Sequence, residues 1–77
     1  MFKEHDQIVL TSDIQDEGLK AGDVGVIVHV HQRGEAFEVE FFGVDGHTLT
    51  VATILDSQVR PVSTRDIIHA RETELSA

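Results

Sequence analysis

The segment from Gly22 to His31 is the sequence feature that most constrains the fold. It begins with two glycines spaced three apart, and its valines then alternate at Val26, Val28 and Val30. A side-chain period of two is that of a β-strand, so these three valines are expected to line one buried face. Gly22 gives the backbone the freedom that a turn before the strand requires. The segment therefore predicts a turn followed by a long strand.

Four further runs of β-forming residues are separated by turn residues. The five predicted strands span residues 7–10, 24–31, 36–42, 48–54 and 60–62. Such short, closely spaced strands predict an all-β fold, a small five-stranded SH3-like partly open barrel over residues 1–62. Ser63 and Asp66 have the spacing of a capping box, so residues 63–77 are expected to form a short C-terminal helix or a frayed tail.

Hydrophobic matching gives the expected register of the first hairpin. With a four-residue loop over 32–35, Val28 lies opposite Val39 and both point inward. The same register places His29 opposite Glu38 on the other face, and it directs Ile27 outward.

Two registers are possible for the second hairpin. A two-residue turn at 45–46 pairs Phe41 with Thr50, whereas a three-residue loop that ends at a left-handed Gly46 pairs Phe41 with Leu49. The second alternative keeps apolar partners together inside the fold. We therefore expect the three-residue loop.

Length, charge and cysteine content narrow the classes of function. The 77 residues allow a single domain, and the absence of cysteine excludes disulfides and thiolate metal sites. Fourteen Asp and Glu against six Lys and Arg give a net charge of -8, which opposes binding to DNA or RNA and suits a basic protein partner. Solubility alone is the alternative explanation of the acidity. The chain has no apparent leader and no apolar run of about 20 residues, so we expect a cytoplasmic protein that does not bind membranes.

Several strings of residues together resemble one known family. They are Asp6-x-Ile8-x-Leu10, Gly18-Leu19-x-x-Gly22-Asp23-Val24-Gly25-x-Ile27-Val28-His29-Val30, Phe37-Glu38-Val39-Glu40-Phe41, Asp45-Gly46-x-Thr48 and Val59-Arg60-Pro61-Val62. Over residues 6–62 the chain resembles the unknown-function domain family 4926, a family of small bacterial SH3-like domains. The resemblance implies that fold, a bacterial cytoplasmic setting and an antitoxin-like pairing with a larger protein. It implies no catalytic residue.

A rival resemblance rests on the segment from Gly22 to Val30. It is similar to the Gly-Asp-x-Gly-x-Val core of KOW modules, which implies binding of nucleic acid. KOW modules carry basic residues on their loops, whereas the loops of this chain carry Asp13, Asp16 and Glu35. A KOW-like nucleic-acid-binding module is therefore the alternative function.

Histidines and carboxylates on one strand face are the candidate metal ligands. His29 and His31 point to the same side of their strand and Glu38 lies across from them, a set that suits zinc, nickel or copper. Solvated histidines paired with a glutamate explain the same pattern without a metal. No serine lies in a nucleophile-elbow context, so we expect neither an enzyme nor a cofactor, and a surface metal site is the third hypothesis.

The remaining candidate is a protein-binding surface. An apolar cluster rimmed by carboxylates is how a small module docks on a basic partner. Alternatively, the C-terminal helix covers this cluster with Ile67 and Ile68. The residues expected to contact the partner are Ile27, Glu38, Glu40, Phe42, Val44, Asp16 and Glu17.

Overall fold

A computed structural model of the protein describes residues 1–75 and contains one antiparallel sheet of five strands. The spatial order of the strands is β4-β3-β2-β1-β5. The all-β fold is confirmed, and each predicted strand agrees with the observed one to within one residue at either end. The strands are β1 (Gln7–Leu10), β2 (Val24–Val30), β3 (Ala36–Phe42), β4 (Thr48–Leu55) and β5 (Val59–Pro61).

The sheet is not closed into a barrel over the described residues, because β4 and β5 are its two edges and do not pair with each other. The helical content of residues 1–75 consists of 3-10 turns alone. They lie at Gln15–Glu17, Gln32–Gly34 and Asp56–Gln58. The prediction of a C-terminal helix is therefore wrong.

A β-bulge interrupts the first hairpin. Val30 pairs with Phe37 as predicted, but Ile27 rather than Val28 pairs with Val39. Val28 is the extra residue, so the side chains that precede it change faces. Ile27 is completely buried and Val28 is 41% exposed. The predictions that Val28 points inward and Ile27 outward are both wrong.

Gly25 explains how β2 can lie so close to β3. It pairs with Ile8 of β1 and is buried. A Cβ atom at this position would lie 2.5 Å from Val39 Cγ1 and 2.9 Å from Phe41 Cε2. Because Gly25 has no side chain, the core side chains of β3 can occupy the space beside its Cα atom.

Two turn glycines have a left-handed conformation, which the sequence predicts for Gly46. The φ angles are 75° at Gly34 and 86° at Gly46. The second hairpin has the predicted three-residue loop, which is closed by a 2.9 Å hydrogen bond from the Gly43 N–H to the His47 carbonyl. The predicted three-residue loop is therefore confirmed.

The register beyond that loop differs from the prediction. A second irregularity follows at Leu49, and Phe41 pairs with Thr50. This is the pairing of the rejected alternative. The extra residue turns Val51 outward, where it is 49% exposed, and it turns Ala52 and Ile54 into the core.

The core lies on the inner face of the sheet. Ile14 and Leu19 form a β-bridge to each other, and their side chains pack the long first loop against the core. Phe2 adds an edge-to-face contact with Phe37 at 5.6 Å between ring centroids. The buried members of the core are Ile8, Leu10, Leu19, Ile27, Phe37, Val39, Phe41, Ala52 and Ile54.

The chain after β5 is an extended strap. Ser63 and Asp66 form one of the two predicted capping contacts, a 2.7 Å hydrogen bond from the Ser63 N–H to Asp66 Oδ2, whereas the Ser63 hydroxyl accepts from the Arg65 N–H at 3.0 Å. Asp66 also accepts two hydrogen bonds from Arg60, at 2.6 and 3.1 Å. The turn does not continue into a helix because Ile67 and Ile68 are 89% and 99% exposed, so the segment has no buried apolar face to stabilise a short helix.

The far end of the strap is fixed to the first loop. Arg71 donates hydrogen bonds of 2.9 and 2.6 Å to the two carboxylate oxygens of Asp23, and Leu75 packs against the core beside Gly18. These contacts attach the strap to the domain at Arg71 and Leu75. The last two residues of the predicted extension, 76 and 77, lie outside the described residues.

Candidate protein-interaction surface

The outer face of β3 and β4 combines carboxylates with exposed apolar side chains. Alternation along each strand and the observed pairing place one set of residues on this side of the sheet. We call this set the β3–β4 outer face. Its members are Ala36, Glu38, Glu40 and Phe42 of β3 and Thr48, Val51, Thr53 and Leu55 of β4.

Glu38 is held in place by one neighbour just after β2 and by another on β4. Its Oε2 atom lies 2.5 Å from Nε2 of His31 and accepts a 2.7 Å hydrogen bond from the Thr53 hydroxyl. The bond to His31, and then the bond from Thr53, holds the pKa of the Glu38 carboxyl below its usual range. Glu38 is therefore ionised at neutral pH and fixed in direction.

Glu40 is oriented in the same way. Its Oε2 atom accepts a hydrogen bond from the hydroxyl of Thr48. Within residues 1–75, neither Glu38 nor Glu40 bonds a side chain through its other oxygen, Oε1. Each carboxylate is thus anchored through one oxygen and has its other oxygen available for a further hydrogen bond.

Apolar groups surround the two carboxylates. Val51 lies directly opposite Glu40, and Leu55 lies further along the same strand; their side chains are 49% and 51% exposed. Phe42 is 42% exposed where β3 ends, and Val44 is fully exposed at the tip of the following loop. This surface therefore combines exposed apolar area with two oriented carboxylates.

Ile27 does not belong to this surface. The bulge at Val28 places Ile27 in the core, where it is completely buried, so its prediction as a partner-binding residue is wrong. Asp16 and Glu17 lie in the 3-10 turn between β1 and β2, and therefore belong to a loop and not to the strand face.

The histidines lie close together without completing a metal site. His29 pairs with Glu38 across the strands as predicted, but Glu38 bonds to His31 instead. The rings of His29 and His31 meet edge to face at 4.9 Å between centroids. Among the residues that the structure describes, no three His, Asp or Glu side chains are grouped as metal ligands.

The C-terminal strap does not cover the outer face with Ile67 and Ile68, because both are exposed. The strap is held at Asp23 by Arg71 instead. Burial raises the pKa of Asp23, but the hydrogen bonds from Arg71 and from the Lys20 N–H outweigh it and leave the pKa below its usual value. The alternative in which Ile67 and Ile68 cover the apolar cluster is therefore wrong.

Val51 and Leu55 are the surface residues that sequence reasoning missed. The preferred register of the second hairpin directed Val51 inward, and the bulge at Leu49 reverses this. The composition of this strand was the one available signal that its outer side chains are apolar. Residues 48–55 contain no charged residue and no proline in a chain of which 26% is charged.

Comparison with known proteins identifies a family over most of the chain. The sequence profile described as domain of unknown function (DUF4926) matches residues 4–61. No curated protein and no solved structure matches the chain. None of the helical turns in residues 1–75 is long and apolar enough to cross a membrane. Because the matched segment covers more than half of the chain, the chain belongs to the DUF4926 family of domains of unknown function.

Proposed function

We propose that the protein is a non-catalytic interaction module that docks a basic protein through its β3–β4 outer face. The observation that carries the proposal is the pair of anchored carboxylates, Glu38 and Glu40, each with one free oxygen. A lysine or arginine side chain of the partner would bond to these oxygens, and the exposed Val51, Leu55 and Phe42 would supply apolar contact.

The charge of the whole chain supports this partner class. A net charge of -8 on 77 residues attracts a basic protein from a distance and raises its association rate. Within residues 1–75, three of the six basic side chains are already in ion pairs: Lys3, Arg60 and Arg71. On this proposal the module acts as an antitoxin-like, neutralising or accessory partner, in a cytoplasmic and bacterial setting.

The finer fold assignment belongs to the same proposal. The strand order β4-β3-β2-β1-β5, with β1 pairing to both β2 and β5, supports an open SH3-like arrangement. The β3–β4 outer face is one side of two neighbouring strands of this sheet. Such a sheet face suits a protein partner better than a small molecule.

Two matched charge variants test the proposal. Glu38→Gln/Glu40→Gln removes both anchored carboxylates, whereas Glu72→Gln/Glu74→Gln removes the same charge from exposed positions on the strap. The immobilised wild type and both variants are exposed at low salt to lysate of the source cells, and retained proteins are identified by mass spectrometry. We expect a basic protein to be retained by the wild type and the strap variant and to be lost from the Glu38/Glu40 variant.

Other outcomes would contradict the proposal. Equal retention by both variants would show that the outer face does not select the partner. Retention of RNA or DNA in place of a protein would support the KOW-like alternative. Retention of no macromolecule at all would leave solubility as the reason for the acidity.

A further inference from the structure

The two edges of the sheet differ in how they are protected. β5 has three residues, contains Pro61, and lies beside the Arg60–Asp66 ion pair. β4 has eight residues with no proline and no charge. Proteins commonly protect exposed edge strands with charges, prolines, bulges or short length, and of these features β4 has only the irregularity at Leu49, before Val51 and Thr53.

The hydrogen-bonding pattern shows which groups β4 presents outward. The Asp56 N–H bonds to the Glu35 carbonyl at 3.0 Å, which identifies 35 and 56 as a hydrogen-bonded pair. Antiparallel pairs alternate between bonded and non-bonded, so the pairs of Val51 with Glu40 and of Thr53 with Glu38 are non-bonded. The backbone N–H and C=O groups of Val51 and Thr53 therefore point away from β3.

One end of this edge is already capped. The outward N–H of Leu55 donates a 2.9 Å hydrogen bond to the side-chain oxygen of Gln58. In the part of the chain that the structure describes, no other segment bonds to the outward groups of Val51 and Thr53. These two residues thus offer two donors and two acceptors in the spacing of a β-ladder.

We propose that the β4 edge binds an extended basic segment of the partner as a sixth strand. The inference rests on the proposed function and specifies how the same surface is used. Main-chain hydrogen bonds to Val51 and Thr53 supply affinity, and side chains on alternate positions supply specificity.

The positions of Glu38 and Glu40 fit basic side chains on such a strand. Glu38 and Glu40 are two residues apart, or about 6.8 Å, which is the repeat of same-face side chains on any extended strand. A strand added to β4 would lie about 9.6 Å from β3. A lysine or arginine reaches across the Val51–Thr53 row to the free carboxylate oxygens from that distance.

Charge argues against a second copy of this chain as the occupant. Each copy carries a net charge of -8, and antiparallel pairing of two β4 strands would bring two acidic faces together. The edge itself is uncharged, but Glu38, Glu40 and Asp56 lie beside it. A basic segment removes this repulsion, whereas self-pairing adds to it.

The probe is a short synthetic peptide in which lysine and valine alternate. Its binding is followed in amide spectra of the isotope-labelled full chain at low salt, together with hydrogen exchange at Val51 and Thr53. We expect saturable shifts at these two amides and exchange slowed at least about tenfold at saturating peptide.

Two N-methylated peptides separate strand addition from charge attraction. In one, every lysine amide is methylated; in the other, every valine amide is. In an extended strand, alternate amides point to opposite sides, so one methylated peptide should lose binding and the other should keep it. Binding by both, or by neither, would overturn the proposal.

A matched pair of protein variants provides the second arm. Val51→Pro removes one outward N–H without removing a bond to β3, whereas Val51→Thr keeps that N–H and replaces one methyl group of the side chain with a hydroxyl. We expect Val51→Pro to weaken peptide binding at least about tenfold and Val51→Thr to weaken it less. If Val51→Pro does not fold, the methylated peptides still decide the question.

The result for the free protein is also decisive. If the chain is a dimer at low salt with Val51 and Thr53 already protected from exchange, a second copy occupies the edge and the proposal fails. If the peptides do not bind while Glu38→Gln/Glu40→Gln still abolishes retention of a basic protein, the strand-addition proposal fails and the proposed function stands. If the Glu38→Gln/Glu40→Gln variant retains the basic protein as well, the strand-addition proposal and the proposed function both fail.

Discussion

Replacing Ile27 by alanine tests the bulge that determines which side chains of β2 face outward. Ile27 is completely buried and belongs to the core cluster. The substitution removes three buried carbon atoms, worth about 0.8 kcal/mol each, or about 2.4 kcal/mol together. A residual cavity adds about 1 kcal/mol, so we expect a loss of about 3–4 kcal/mol in the free energy of unfolding.

Val28→Ala is the matched control, one residue along the same strand. Val28 is 41% exposed, and alanine removes two of its carbon atoms. The lost burial is therefore worth about 1 kcal/mol or less. The two neighbouring substitutions should differ by about 2 kcal/mol or more.

Urea unfolding followed by far-ultraviolet circular dichroism measures both losses, since the chain has no Trp or Tyr for fluorescence. If Ile27→Ala leaves too little folded protein, Ile27→Val should still cost about 1 kcal/mol. Equal losses for the two alanine variants, or a larger loss for Val28→Ala, would refute the bulge. Such a result would restore the regular alternation in which Val28 lies inside.

Three further substitutions test the packing of the fold and the attachment of the strap. Gly25→Ala should cost about 1–3 kcal/mol by overpacking, and less in a Val39→Ala background, as a double-mutant cycle of unfolding energies would show. Arg71→Gln should cost about 1 kcal/mol at pH 7. That cost should shrink in acid. The ion pair stabilises the fold fully above the pKa of Asp23 in the unfolded chain, about 3.9, and this stabilisation is lost as the pH falls through the lowered pKa of Asp23 in the folded chain. Urea unfolding at neutral and at acid pH measures the difference. Phe41→Ala should cost about 3–5 kcal/mol by the same urea assay, and a loss well under 1 kcal/mol would place Phe41 outside the core.

The strand positions were predictable because turn residues and β-forming residues divide this chain clearly. The loop that ends at Gly46 was predicted from an apolar pairing of Phe41 with Leu49 that is not observed, and the left-handed glycine alone supports it. The register of β2 was not predictable, because valine or isoleucine stands at every position from 26 to 28. Both registers bury apolar residues, so alternation alone cannot locate an extra residue.

The long-range features of the site were less predictable still. The assignment of Glu38 to the outer face was correct, but its partner His31 depends on side-chain directions that pairing does not specify. The attachment of the strap depends on Arg71 meeting Asp23, residues 48 positions apart in sequence. A local capping signal at Ser63 predicted a helix, and the absence of a buried face for that helix prevailed over it.

Acidity and the uncharged β4 edge are two parts of one arrangement if the proposed strand addition is correct. A chain with an unprotected edge needs some barrier to pairing with its own copies, and here repulsion between like-charged copies provides one. The same charge attracts a basic segment, so one set of carboxylates opposes the wrong partner and favours the right one. Salt screens both effects, since the Debye length falls from about 10 Å at 0.1 M to about 3 Å at 1 M. Added salt should therefore weaken the complex with the basic partner and relieve the repulsion between copies, a pair of opposite responses that a purely apolar docking site would not give.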